Sequence, residues 1–252
     1  MPEANEEISI LYDGGSYVVV DKPSGVLTHP HHIDKASPIL IDLLREQLGW
    51  QPLTVHRLDR MTTGAIVLTR DKETAAALAD QFAAHEVRKR YLAITRGHMD
   101  EEGTMDEPLP HRSKDEVLEA ETRYRCLARG VVTEPIGRYE EGWLSLVMLE
   151  LLTGRTHQAR RHLHRSTHPV LGDKRHGDND YNRWARPAFG QYMFLRAYEL
   201  SFFSPDRSEQ ITVTSGLDKT WQRAVAQLFP GTPEDYSLRV SCTVSSVNSS
   251  AE

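Results

Sequence analysis

Apolar runs set the first expectations. Residues 8–12 and 17–21 read as two short strands around the turn Asp13-Gly14-Gly15. Leu40, Leu43, Leu44 and Leu48 fall on one helical face, with Ser37 placed to cap that helix and Pro38 at its first position. Residues 65–68 form an apolar strand. Asp71 then caps a helix to Ala84 whose buried face would carry Ala75, Leu78, Ala79 and Phe82. Strands are predicted over 91–95, 119–127, 143–152, 194–203 and 210–214. Helices are predicted over 156–165 and Lys219–Leu228. Strands and helices do not alternate regularly. The expected class is therefore α+β, with a mixed, mainly antiparallel sheet and flanking helices, not a doubly wound parallel sheet.

The chain has 252 residues and is 39% hydrophobic, enough for a sizeable core. The pattern divides it into an acidic extension over 1–7, one domain over 8–230 and a disordered Ser- and Val-rich tail over 231–252. No secretory signal or membrane-spanning run is visible, and two distant cysteines make no disulfide framework. A cytoplasmic monomer with no membrane attachment is expected.

The net charge of -6 argues against a nucleic-acid partner until its distribution is considered. Acidic residues cluster over 3–7, 100–107, 115–121 and 134–141. Arginines and lysines cluster elsewhere, at Arg57, Arg60, Arg70 and Lys72, at Arg88, Lys89, Arg90 and Arg96, and at Arg155, Arg160, Arg161 and Arg165. Such segregation permits one positive face on an acidic protein.

Three segments could carry chemistry. In His56-Arg57-Leu58-Asp59-Arg60-Met61-Thr62-Thr63-Gly64 an acid sits in a loop between strands, and its flanking cations favour the ionised form of a nucleophilic carboxylate. A surface ion pair explains the same residues. In Arg88-Lys89-Arg90-Tyr91 three cations lead into a ring on which a base could stack, although a half-buried strand tyrosine explains it equally. In Thr153-Gly154-Arg155-Thr156-His157-Gln158-Ala159-Arg160-Arg161-His162-Leu163 a basic helix starts after a turn and suits anions, or is simply a solvated face.

In this order, the segments resemble the motifs of the pseudouridine synthases with an H-R-L-D signature. Asp21-Lys22-Pro23-Ser24-Gly25 and His168-Pro169-Val170-Leu171-Gly172-Asp173 look like further family segments, so the likeness runs from about Ile8 to Leu228. Thr63 and Ala159 depart from the pattern, the first keeping a hydroxyl and the second losing packing volume. The resemblance implies the pseudouridine synthase fold and a reaction that needs no metal and no cofactor. It implies Asp59 as the nucleophile in uracil glycosidic cleavage, Tyr91 stacked on the target base and Arg160 ion-paired with Asp59. Arg57 would help fill the gap left by the flipped uridine, and Arg155 and Leu163 would contact substrate. Within the family, the stretch from Gly172 to Asp178 through Asn182-Arg183 is most similar to enzymes acting on uridine 65 of transfer RNA, with ribosomal RNA as the alternative.

Two other classes were weighed. His164 and His168 have the i, i+4 spacing of a zinc hydrolase, but Arg165-Ser166-Thr167 lies between them without the required Glu, and Pro169 ends the helix. An inactive RNA-binding module on the same fold would lack reason to keep Asp59, Tyr91 and Arg160 together. The cluster His29, His31 and His32 receives no role.

Overall fold

A computed structural model describes residues 7–30, 34–111, 114–231 and 241–246. His31 and His32 lie outside them, as do residues 1–6 of the N-terminal extension. In chain order the described elements are β1 (Ile10–Asp13), β2 (Tyr17–Lys22), α1 (Leu40–Leu48), β3 (Leu53–Thr54), β4 (Thr63–Thr69), α2 (Lys72–Ala83) and β5 (Arg88–Arg96). There follow β6 (Glu102–Met105), β7 (Leu109–Pro110), β8 (Val117–Leu118), β9 (Thr122–Val132), β10 (Gly142–Leu151), α3 (Gln158–Arg165) and α4 (Asn179–Phe189). The last are β11 (Leu195–Phe203), β12 (Glu209–Thr214), α5 (Lys219–Leu228) and β13 (Ser241–Ser246). This is the expected α+β class, with mainly antiparallel pairing.

The chain gathers into two compact units. The first comprises Met1–Lys89, Ala197–Gly216 and Arg239–Glu252, and the second Arg90–Arg196 and Leu217–Leu238. In the first, β2 pairs antiparallel with β1 on one side and β4 on the other. Strand β11 lies beside β4, and β12 and β13 continue outward. Tyr17, Val19, Ala65, Val67, Leu78, Val87, Leu200, Phe202, Ile211 and Val213 form its apolar core. Gly64 is needed here: its φ is +109°, and a Cβ would lie 2.2 Å from the Ala197 carbonyl oxygen.

In the second unit β10 is central, paired antiparallel with β5 and β9, and β6 extends β9. Leu92, Ile94, Leu144, Leu146, Leu149, Leu163, Phe194 and Trp221 are buried there. Phe194 meets Trp221 edge-on at 5.3 Å and Phe189 likewise at 5.3 Å, which ties α4 and α5 to one aromatic cluster.

The structure departs from the sequence reading in several places, of which four bear on packing. Ser37 does not cap α1, because Asp34 takes both its backbone N–H (3.1 Å) and its hydroxyl (2.8 Å). The cap is Ile39, held extended by a bridge to Leu27, and it makes no side-chain cap. Helix α2 is capped by Asp71 as expected, with Thr74 N–H at 2.8 Å, but its fully buried positions are Thr74, Leu78 and Gln81. Gln81 belongs inside because its amide both donates to and accepts from the Phe203 backbone, each at 2.9 Å. Helix α4 was not foreseen: Pro187 and a polar composition conceal Tyr181, Ala185 and Phe189, which form its buried stripe at i, i+4, i+8. Finally, Ser241–Ser246, placed in the disordered tail, pairs with β12 along its whole length.

Candidate active site

Asp59 and Arg57 lie in the first unit, in the loop between β3 and β4. The loop is fixed from both ends. Thr62 N–H bonds to the Asp59 carbonyl at 3.0 Å, closing a turn at Asp59. Leu58 is buried, and its N–H and C=O both meet the Thr28 hydroxyl, at 3.2 and 3.1 Å. His56 stacks on Phe82 with ring centres 4.5 Å apart, and its Nε2 accepts the Val67 N–H at 3.1 Å. Burial of the ring pushes its pKa down to about 3, helped by the nearby Lys89 charge, so His56 is a neutral structural acceptor.

Arg57 is exposed, while Arg60 donates to Ser37 at 3.3 Å and pairs with Asp34 at 3.5 Å. A buried cation that feels the Asp59 charge is Lys22, which sequence reading left without a role. Its side chain is fully buried, and its Nζ donates to the carbonyls of Pro23 (3.0 Å), Val26 (2.7 Å) and Arg60 (3.1 Å). Burial pushes the Lys22 ammonium down to about 7, against the pull of the Asp59 and Asp21 carboxylates toward the charged form. Three carbonyls converging on one buried position are the signal that locates it, and they are visible only in three dimensions.

Tyr91, Arg155, Arg160 and Leu163 belong to the second unit. Tyr91 is half-buried on β5, opposite Leu149 of β10. Next to it, Arg90 pairs with Glu150 at 3.6 Å. The turn before α3 is built by Gln158. Its Oε1 accepts from Thr153 (2.7 Å) and Arg155 N–H (2.9 Å), and its Nε2 donates to the Glu121 carbonyl (2.9 Å) and Thr122 hydroxyl (3.0 Å). That fills all four hydrogen-bonding positions of a glutamine amide. His157 takes the left-handed conformation at φ 55° to let the helix start there. Arg155 donates from Nε to the Glu119 carbonyl at 2.8 Å, and Leu163 is fully buried. Arg160 is buried and grips Asp173 at two points, Nε to Oδ2 at 2.7 Å and Nη2 to Oδ1 at 2.8 Å. The Arg160 guanidinium, set against the burial of both groups, holds the Asp173 carboxyl below the usual carboxylate range.

Residues 16–165, which include all of these but Asp173, match the family model described as RNA pseudouridylate synthase. The chain belongs to that family. Among relatives of this RNA pseudouridylate synthase, tRNA pseudouridine synthase C of Salmonella typhimurium is 36% identical over 233 residues, covering 87% of this chain and 89% of that one. The protein of the same name from Haemophilus influenzae is 36% identical over 232 residues, covering 87% and 97%. Human RNA Pseudouridylate Synthase Domain Containing 1 superposes with a TM-score of 0.73 at 27% identity, covering 96% of this chain and 98% of that chain. The activity that goes with the family is an isomerase acting on uridine in RNA.

The histidines that suggested a zinc site are differently employed in this pseudouridylate synthase. Helix α3 ends at Arg165, and Thr167 has φ 65°, so His164 and His168 do not share a helix. Their Nδ1 atoms meet the carbonyls of His176 (2.8 Å) and Arg96 (3.0 Å). Among the described residues, no three His, Cys, Asp or Glu side chains come together as metal ligands would.

Proposed function

We propose that the enzyme isomerises a uridine of transfer RNA to pseudouridine, at position 65, and that it works as a cytoplasmic monomer without metal or cofactor. What carries this reading is the near full-length match, at 36% identity, to proteins named tRNA pseudouridine synthase C. In the reaction the C1′–N1 bond breaks, the base turns, and a C1′–C5 bond forms. The proton lost from C5 is balanced by one gained at N1, so no redox partner or group donor is consumed. Asp59 supplies the nucleophilic carboxylate, Tyr91 stacks on the extruded base, and Arg160 supplies the positive charge that steadies Asp59. Arg57 supports the gap in the RNA and Arg155 completes the substrate contacts, while Leu163, expected to contact substrate, is fully buried and serves the core instead. Asp59 stands in a loop pinned through Leu58 and Thr62, which suits a group that must keep one geometry.

The test is pseudouridine mapping on transfer RNA incubated with purified protein. Product at position 65, absent with Asp59→Ala and with that uridine replaced by cytidine, is the expected result. Asp59→Ala should lower the rate by at least about a thousandfold while RNA binding survives. Product formed only on ribosomal RNA would overturn the substrate, and product formed by Asp59→Ala would overturn the role of Asp59. RNA affinity should fall by about tenfold or more between roughly 50 and 200 mM salt, as phosphate contacts release counterions.

A further inference from the structure

We propose that Asp173 is a positioning residue for the reaction: it fixes the Arg160 guanidinium in one orientation and so sets the direction from which that charge acts. The proposal rests on the reading of Arg160 given above. An arginine side chain has many rotamers and a planar fork, and a two-point contact with a carboxylate removes most of that freedom. The contact is dry, with the Arg160 side chain 9% exposed and that of Asp173 0%.

The carboxylate is itself held from several directions. Its Oδ1 also accepts the backbone N–H groups of Arg175 (2.9 Å) and His176 (3.1 Å). On either side of its Cα, Asn182 of α4 clamps the backbone: its Oδ1 accepts Gly172 N–H at 2.7 Å, and its Nδ2 donates to the Asp173 carbonyl at 2.9 Å. Gly172 adopts φ +82°, and a Cβ there would lie 1.8 Å from the Tyr192 carbonyl oxygen, so the segment has no room to shift. An anchor built from α4, a glycine turn and two backbone donors is far more than charge neutralisation requires. Buried ion pairs often contribute little net stability, because desolvation offsets attraction. Orientation is what this one supplies. Asp173 engages Nε and Nη2 of the guanidinium, which fixes the plane of the group and with it the direction of its Nη1 edge.

The experiment compares Asp173→Asn, Arg160→Lys and the double variant on transfer RNA. Asparagine keeps the shape but sets an amide N–H₂ against the guanidinium. The expected result is a kcat lowered tenfold or more with KM for RNA within about twofold, in protein whose circular dichroism and melting show a folded chain. The double variant should lose no more than the worse single one, because both act through one contact. A folded Asp173→Asn with kcat within twofold of wild type, beside an impaired Arg160→Lys, overturns the proposal. If Arg160→Lys is equally unimpaired, the reading of Arg160 fails instead. Should Asp173→Asn not fold, nitrogen-15 spectra of the wild-type protein decide: a slowly exchanging Arg160 Nε–H supports a fixed guanidinium, and rapid exchange with water overturns it.

Discussion

The two compact units hold the charged groups proposed for the reaction by opposite means. In the first, a cation organises backbone: Lys22 draws the carbonyls of Pro23, Val26 and Arg60 together, and the Asp59 loop follows. In the second, an anion organises a side chain: Asp173 grips the guanidinium of Arg160 directly. The difference follows from reach. Asp59 has a short side chain, so its position is set by its backbone, and the loop must be fastened. Arg160 is long and sits on a helix whose backbone is already fixed, so its tip must be fastened instead.

The sharpest way to break the comparison is Lys22→Met, which keeps length and volume but removes the donor. Three carbonyls would lose their donor inside the protein, at about 1–3 kcal/mol for each that stays buried. A loss of about 3 kcal/mol or more is expected in urea melts, with activity falling alongside. A loss under about 1 kcal/mol would mean that Lys22 does not fasten the loop. The counterpart in the second unit is Asn182→Ala, which removes two hydrogen bonds from the backbone around Asp173. A cost of about 1–3 kcal/mol is expected by the same measurement, with the lost activity appearing in kcat.

The smallest effect concerns pH. His56 stays neutral in the fold down to about 3, against an ordinary value of 6.5. Below pH 6.5 the unfolded chain therefore binds a proton that the folded ring refuses, and stability falls as the pH drops from 6.5 toward 3. Gln at position 56 can still accept the Val67 N–H but cannot titrate. The melting temperature of His56→Gln should accordingly fall less steeply with acid than that of wild type. His176, lowered to about 4 by burial, contributes with the same sign, so the flattening is partial.

Much of this molecule was legible in its sequence, and the limits have physical causes. Apolar patterning located β2, β4, β10 and α5 to within a few residues, and α3 stood out as a basic stretch after the Thr153-Gly154 turn. Helix α4 escaped notice because only three of its eleven residues are buried, among polar neighbours, and Pro187 signals a stop. The segments bearing Asp59, Tyr91 and Arg160 stood out because their residues are contiguous along the chain. Lys22, Gln158 and Asp173 sit in quoted segments too, but their roles lie in contacts that the segments do not show. Lys22 acts on Arg60, Asp173 on Arg160 and Gln158 on Glu121, partners 38, 13 and 37 residues away, and a sequence pattern does not announce such contacts.

Strand β13 bears on the handling of the protein. It satisfies the outer backbone groups of β12, from Glu209 to Thr214, with a ribbon of small, polar, exposed residues. Removing it would bare a sheet edge that carries Ile211 and Val213, and bare edges recruit strands from other molecules. Proteolytic clipping upstream of Ser241 should therefore first reveal itself as self-association, before any loss of catalysis.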